Sequence, residues 1–197
     1  MKGESRVGFY GGTFDPIHNG HINLAIEVLE KTPLDRILFC PAFISPDKQD
    51  ALPHASGKER FEIVQLAVKA IPEFSVTDLE LEREGPSYTI DTIRYLIDLH
   101  PGIEFYLVLG KDALENIEKW KEIEALLQLA PPIIGTPVNR KIEELPDSLR
   151  ELMEWEVPVT VMEICSTDLR ERLLKKKYCG HLMPSKVLDY IEAKSLY

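Results

Sequence analysis

The 197-residue sequence has few cysteines and no long apolar run. Its three cysteines, Cys40, Cys165 and Cys179, are widely spaced and form no C-x-x-C pair. We therefore expect free thiols, with neither a zinc site nor a disulfide framework. No stretch reaches the roughly 18 apolar residues that a membrane helix needs, and no apolar signal-peptide region follows Met1. Together these absences predict a cytoplasmic protein without a membrane span.

Basic side chains are also in short supply. The chain has 23 Lys and Arg against 33 Asp and Glu, which gives a formal net charge of −10 at pH 7. This balance argues against a general binder of nucleic acid or anionic membranes, so an anionic ligand must be held by a local site. A hydrophobic content of 44% allows a sizeable core. We expect a single domain over residues 1–197, with a helical C-terminal part at about 166–195.

Two familiar phosphate-binding sequences, the P-loop and the G-x-G-x-x-G fingerprint, are absent. The segment Gly11-Gly12-Thr13-Phe14-Asp15-Pro16-Ile17-His18-Asn19-Gly20-His21 is present instead. The apolar run Arg6–Tyr10 before it predicts a buried strand, and helical spacing of apolar residues begins at Gly20. The segment is therefore predicted to turn from strand to helix, with His18 just before the helix and His21 in its first turn.

The residue types in this turn suit a phosphate. Gly11 and Gly12 let backbone N–H groups approach an anion, and Thr13 adds a hydroxyl donor. His18 and His21 can face the same phosphates beside the positive end of the helix. A metal site is disfavoured, because no cysteine or carboxylate stands at ligand spacing nearby. The plain structural alternative is a glycine hairpin with surface histidines, which the length of the string disfavours.

A second turn of this kind is predicted where the strand Val159–Ile164 meets a helix over Asp168–Lys176. Ser166 or Thr167 is a suitable N-cap for that helix. The guanidinium of Arg170 can grip a phosphate through two hydrogen bonds. An ordinary capped surface helix would also explain these residues. In a doubly wound sheet, however, two such turns converge on one crevice at the strand ends.

Strand-like and helix-like segments alternate along the rest of the chain. This order predicts an α/β fold with a doubly wound, mostly parallel sheet and helices on both faces. The segment Thr136–Pro158 is predicted to be irregular, with a short helix at Ser148–Glu154. The remaining predicted strands are Arg36–Cys40, Phe74–Thr77, Glu104–Leu109 and Ile133–Gly135, and the remaining helices are Lys58–Ile71, Thr89–Leu99 and Ala113–Leu127.

The two turn sequences carry a family resemblance. The run from Gly11 to His21 resembles the His-x-Gly-His signature of the nucleotidyltransferase superfamily, most closely that of bacterial nicotinate-nucleotide adenylyltransferases. The run from Ile164 to Arg170 is similar to the Ile-Ser-Ser-Thr-x-Ile-Arg signature of that family, with Cys165 in place of a small hydroxyl residue. Weaker matches lie between them, so the resemblance extends over residues 7–191. It implies a Rossmann-like nucleotidyltransferase fold.

The resemblance also implies site residues. It assigns catalysis to His18, His21 and Arg170. It assigns ATP binding to a larger set, which contains the three catalytic residues together with glycines, hydroxyl residues and two others. The full set is Gly11, Gly12, Thr13, Phe14, His18, Gly20, His21, Gly110, Asp112, Ser166, Thr167 and Arg170.

Three further residues are implied in substrate binding. Lys48 would reach a triphosphate, backbone near Thr89 would bind a nicotinate carboxylate, and Trp120 would stack on a pyridine ring. Structural roles remain open for each: an exposed loop lysine, a helix cap at Thr89 and core packing of Trp120. Asp112 has a cap role as its alternative.

The implied reaction transfers AMP from ATP to nicotinate mononucleotide and gives nicotinate adenine dinucleotide (deamido-NAD) and pyrophosphate. Mg²⁺ would arrive with ATP, and no protein metal site is expected. The implied partners are ATP and nicotinate mononucleotide, with no nucleic acid and no membrane. The alternatives are transfer to nicotinamide mononucleotide or another small phosphate substrate, and a degenerate nucleotide-binding sensor.

Overall fold

The computed structural model of the chain describes residues 5–46, 52–114, 116–138, 151 and 154–197. The strands are β1 (Ser5–Gly12), β2 (Arg36–Pro41), β3 (Phe74–Val76), β4 (Ile103–Leu109), β5 (Pro132–Pro137) and β6 (Trp155–Val159). The helices are α1 (Asn19–Lys31), α2 (Gly57–Val68), α3 (Thr89–Leu99), α4 (Lys111–Leu114), α5 (Ile123–Leu129), α6 (Ser166–Leu174) and α7 (Ser185–Lys194), with a 3₁₀ helix at Ile117–Lys119.

The strands form one six-stranded sheet in the order β3-β2-β1-β4-β5-β6. β4 runs parallel to β1 and to β5, and β5 runs parallel to β6. The register sets Val7 opposite Phe105 and Leu109 opposite Ile134. Strands β4 and β5 are buried along most of their length, as expected for parallel strands that are covered on both faces. This confirms the predicted α/β, doubly wound, Rossmann-like fold, whose strand order reverses between β1 and β4.

The chain divides into two compact units, each assembled from separate stretches. The first unit comprises the chain up to Gly11, Leu24–Leu38 and Tyr88–Val161. Its core includes Phe105 and Leu107 from β4 and Ile93 from α3, which are at most 3% exposed.

The second unit comprises Gly12–Asn23, Phe39–Ser87 and Met162–Tyr197. Helices α2 and α7 pack together in it, with Ile63 and Val187 fully buried. The start of α2 is fixed by a capping box, in which the Ser56 hydroxyl accepts from the backbone N–H of Glu59 and the Glu59 carboxylate accepts from that of Ser56. Both predicted turn sequences, from Gly12 onward, lie in this unit.

One predicted helix is interrupted. In place of a continuous helix over Ala113–Leu127, α4 ends at Leu114, a 3₁₀ helix follows, and α5 begins at Ile123. Glu122 has a left-handed backbone (φ 50°), and its carboxylate pairs with Arg94 at 2.7 Å. The apolar spacing continues across this break, so the periodicity could not reveal it.

The strand predicted at Val159–Ile164 is replaced by one that begins and ends earlier in the chain. β6 spans Trp155–Val159, within a segment expected to be irregular. Pro158 argued against a strand there, but β6 is an edge strand, where a missing backbone N–H is tolerated. The short helix predicted at Ser148–Glu154 falls mainly on residues outside the described ranges. No helix in the described part of the chain is long and apolar enough to cross a membrane.

Candidate active site

The first turn sequence adopts the predicted strand-to-helix conformation. β1 ends at Gly12 and α1 begins at Asn19. The carbonyl of His18 accepts hydrogen bonds from the backbone N–H groups of His21 and Ile22, at 3.0 and 3.3 Å. His18 therefore sits immediately before the helix and His21 in its first turn, as the sequence predicted.

The two imidazoles lie face to face. Their ring centroids are 3.7 Å apart with an interplanar angle of 28°. The Phe14 ring is nearly perpendicular to the His21 ring, with the two centroids 5.2 Å apart. The backbone N–H of His18 donates to Nδ1 of His21 at 3.2 Å. In a neutral His21 the ring proton is therefore on Nε2. The two imidazoles therefore lie next to each other on the turn.

His18 is buried, with 6% of its surface exposed. Its Nδ1 is buried and has no hydrogen-bond partner among the described residues. Burial lowers the pKa of His18 to about 4, because the charged imidazolium loses its hydration. His18 is consequently neutral at pH 7. It can offer a phosphate one N–H donor, but it carries no fixed positive charge.

Gly20 makes room for this buried ring. A Cβ added at Gly20 would lie 3.0 Å from Nδ1 of His18 and 3.3 Å from the backbone carbonyl oxygen of Met162. The carbonyl belongs to the backbone and cannot rotate away as a side chain would. A side chain at position 20 would therefore push against the His18 imidazole.

A buried arginine holds the start of the turn. Arg60 of α2 is 1% exposed, and its guanidinium donates to the carbonyls of Thr13 at 2.8 Å, Ala42 at 2.6 Å, and Phe43 and Ala55 at 3.3 Å. Arg60 was not among the predicted site residues. Its signal was present, because Arg60 precedes the buried residues Ile63 and Val64 on the apolar stripe of α2.

The middle of the turn is held through Asp15, whose carboxylate is 4% exposed. It accepts from the backbone N–H groups of His54 at 2.8 Å and Ala55 at 3.1 Å. The turn predicted at Asp15–Pro16 is present and contains a cis peptide bond. The sequence identified Asp15 as a turn residue only, and its role as a buried acceptor was missed.

The second turn sequence meets the first within the same unit. Arg170 donates through Nη1 to the backbone carbonyl of Asp15 at 2.7 Å and through Nη2 to the Thr167 hydroxyl at 3.1 Å. The Ser166 hydroxyl donates to the carbonyl of Pro16 at 3.0 Å. The first turn sequence, Gly11–His21, is called the histidine turn below. The structure thus brings Ser166, Thr167 and Arg170 against the histidine turn, although they are about 150 residues away in sequence.

The predicted cap of this helix is wrong. Helix α6 begins at Ser166 with Cys165 at the N-cap position, and the Cys165 side chain makes no capping hydrogen bond. The Ser166 hydroxyl donates to the carbonyl of Pro16.

The other residues of the predicted site belong to the first unit or lie outside the described ranges. Gly11, Gly110, Asp112, Thr89 and Trp120 are in the first unit. Thr89 is not the N-cap of α3, because Tyr88 occupies that position. Lys48 lies outside the described residues.

Thr89 and Trp120 occur in segments that contact each other. Lys121, next to Trp120, pairs with Asp91 of α3 at 2.9 Å and lies 4.9 Å from the centroid of the Tyr88 ring. Trp120 itself is half-buried at the end of the 3₁₀ helix.

Comparison with known proteins places this site in a family. The model of the cytidylyltransferase-like family matches residues 9–172, which include both turn sequences. The chain therefore belongs to the cytidylyltransferase-like family and is a nucleotidyltransferase.

Relatives within the family share nearly the whole chain. A nicotinate-nucleotide adenylyltransferase of Bacillus subtilis is 38% identical over 98% of this chain and 98% of its own length. A probable nicotinate-nucleotide adenylyltransferase of Oceanobacillus iheyensis is 39% identical over 97% of this chain and 96% of its own. Among solved structures, a Plasmodium falciparum nicotinic acid mononucleotide adenylyltransferase complexed with NaAD has a TM-score of 0.80 at 23% identity, covering 98% of this chain and 97% of its own.

Proposed function

We propose that the chain is a nicotinate-nucleotide adenylyltransferase, which transfers AMP from ATP to nicotinate mononucleotide and releases pyrophosphate. The observation that carries the proposal is that the turn bearing the stacked pair His18 and His21 is hydrogen-bonded to Ser166 and Arg170 of α6. Full-length relatives with 38–39% identity and this activity in their names support the choice of reaction.

The chemistry requires no nucleophile from the protein. A phosphate oxygen of nicotinate mononucleotide would attack the α-phosphorus of ATP, and the bond from that phosphorus to the oxygen of the leaving pyrophosphate would break. Catalysis then consists of positioning the two substrates and stabilising charge on the phosphoryl oxygens. Mg²⁺ enters as part of the MgATP substrate.

We assign the stabilising hydrogen bonds to His18 and His21. Both imidazoles are positioned before substrate binds, by their mutual stacking and by the His18 N–H bond to Nδ1 of His21. That bond supports a donor role for Nε2 of His21. Because burial keeps His18 neutral before ATP binds, it would present a directed hydrogen bond in a site of low dielectric, where such bonds are strong.

The phosphate tail of ATP is assigned to the two turns. Thr13 and Gly12 would contribute from the first turn. From the second, the N–H groups at the uncapped start of α6 suit an anion. Thr167 and Arg170 would complete this contact, and Ser166 would act mainly by fixing α6 to the carbonyl of Pro16.

The remaining ATP contacts are proposed on the family resemblance, at Gly11, Phe14, Gly20, Gly110 and Asp112. The nucleotide acceptor is proposed to contact Lys48, Thr89 and Trp120. The link between the segments of Thr89 and Trp120 through Lys121 and Asp91 supports a shared role for them. The chain is proposed to work as one nucleotidyltransferase domain in the cytoplasm, a reducing compartment that suits its three free cysteines.

Pyrophosphate release tests the proposal when the enzyme is given MgATP and one acceptor at a time: nicotinate mononucleotide, nicotinamide mononucleotide or phosphopantetheine. The proposal expects the highest kcat/KM with nicotinate mononucleotide. A preference for either other acceptor would overturn the substrate assignment. ATP binding without release from any acceptor would identify a nucleotide sensor instead.

A further inference from the structure

Tyr197 contacts the histidine turn through a buried carboxylate. Its hydroxyl donates to Oδ1 of Asp15 at 2.7 Å. The same oxygen accepts from the N–H of Ala55 at 3.1 Å, while Oδ2 accepts from the N–H of His54 at 2.8 Å. The Asp15 carboxylate, which is 4% exposed, thus accepts from two backbone N–H groups and from the Tyr197 hydroxyl. Buried carboxylates need such donors in place of lost water.

The backbone after α7 directs Tyr197 toward this position. α7 ends at Lys194, and Ser195 takes a left-handed conformation with φ 52°. The N–H of Leu196 returns to the carbonyl of Ile191 at 3.2 Å, which closes the end of the helix. The helix itself packs against α2, with Ile63 of α2 and Val187 of α7 fully buried. Tyr197 thus follows a helix end that is closed by backbone hydrogen bonds.

Two arginines complete the surroundings of the Tyr197 hydroxyl. Arg170 lies 3.9 Å from Oδ2 of Asp15, and Arg60 interacts electrostatically with both Asp15 and Tyr197. Burial raises the pKa of Tyr197, and the hydrogen bond to the Asp15 carboxylate raises it further. The phenol therefore stays protonated and remains a donor throughout the physiological pH range.

We propose that Tyr197 is a positioning residue for the histidine turn, holding Asp15, and through it His18, in the geometry needed for adenylyl transfer. Asp15 is three residues before His18 and shares the turn with it. Loss of the hydroxyl leaves a buried acceptor under-satisfied, and water or a shifted turn must replace the donor. The kinetic part of this inference rests on the proposed function, while the structural part does not.

The variant that tests it is Tyr197→Phe, which removes one oxygen and keeps the ring. The matched control is Tyr190→Phe, which removes the hydrogen bond from the Tyr190 hydroxyl of α7 to the Glu62 carboxylate of α2, outside the turn. NMR titration of the His18 ring in each protein gives a readout that does not depend on activity. Steady-state kinetics with MgATP and nicotinate mononucleotide gives the second readout.

We expect His18 to titrate near its pKa of about 4 in the wild type and in Tyr190→Phe, and closer to the usual 6.5 in Tyr197→Phe. We expect Tyr197→Phe to lower kcat on the order of tenfold or more, as misplaced catalytic groups do, with a smaller change in KM for ATP. Tyr190→Phe should lower the melting temperature while leaving kcat near the wild-type value.

An unchanged His18 titration and unchanged kcat in Tyr197→Phe would overturn the inference, even if the melting temperature fell. Equal kinetic losses in the two variants would also overturn it, since the effect would then come from general destabilisation. If the wild type released no pyrophosphate from any acceptor, the proposed function would fail. The His18 titration would still decide whether Tyr197 positions the turn.

Discussion

Replacing Arg60 with methionine is expected to destabilise the protein strongly. Methionine has a similar length and suits an apolar environment, so the change removes the guanidinium while largely filling its space. Four backbone carbonyls, those of Thr13, Ala42, Phe43 and Ala55, would lose a donor. Asp15 would lose the nearby positive charge of Arg60.

The size of the loss follows from these contacts. Two of the four hydrogen bonds are short, at 2.6 and 2.8 Å, and two are long, at 3.3 Å. A hydrogen bond to a charged group contributes roughly 1.5–3 kcal/mol. Counting each bond of the short pair fully, and offsetting the rest by the desolvation of Arg60, we expect a loss of about 3–6 kcal/mol.

Urea denaturation of Arg60→Met and of Lys58→Met measures this loss as a change in the free energy of unfolding. Lys58 is an exposed cation on the same helix, so its replacement removes the same charge without the buried contacts. We expect Lys58→Met to remain within about 0.5 kcal/mol of the wild type. Equal and small losses in the two variants would refute the assigned role of Arg60.

Two other predictions concern the buried histidine. The pKa of His18 is about 4 in the folded protein, against a usual value of 6.5. Between these pH values the unfolded state therefore binds more protons than the folded state. Lowering the pH through this window should remove about 3 kcal/mol of stability. His18→Asn should show a correspondingly shallower loss in urea melts from pH 7 to 4, and a slope equal to that of the wild type would contradict the assignment. Gly20→Ala should lower the free energy of unfolding by about 1–3 kcal/mol and should also lower kcat. Gly57→Ala is the control and should cost less stability, because its Cβ would meet the movable Leu81 Cδ2 at the same 3.0 Å. Equal losses of stability in the two variants would remove the special role of Gly20.

Much of the fold was predictable because strand and helix segments differ in the local spacing of their apolar residues. The helix Thr89–Leu99 was predicted with the observed bounds, and the predicted strand Glu104–Leu109 differs from β4 by one residue. The failures lie where tertiary contacts override the local pattern. Glu122 takes a left-handed backbone beside Arg94, and neither feature is visible in the apolar spacing that predicted a continuous helix.

The part of the site that lies within the two turn sequences was predictable. His18 and His21 have the predicted positions, because a strand-to-helix turn fixes them locally. The supporting residues were not predicted, since Arg60 and Tyr197 contact the turn only after the chain has folded. The partner of Arg60 is a carbonyl and that of Tyr197 a carboxylate, and both are distant in sequence. Arg60 alone carried a local signal, as a charge on an apolar helix stripe.

The central claim, that His18 stabilises adenylyl transfer, is tested by comparing His18→Ala with the wild type in formation of nicotinate adenine dinucleotide from MgATP and nicotinate mononucleotide. ATP affinity is measured separately on each protein. We expect kcat to fall on the order of 10²-fold or more, as for loss of a preorganised donor, while the dissociation constant for ATP changes much less. Turnover by His18→Ala at the wild-type rate would contradict the account.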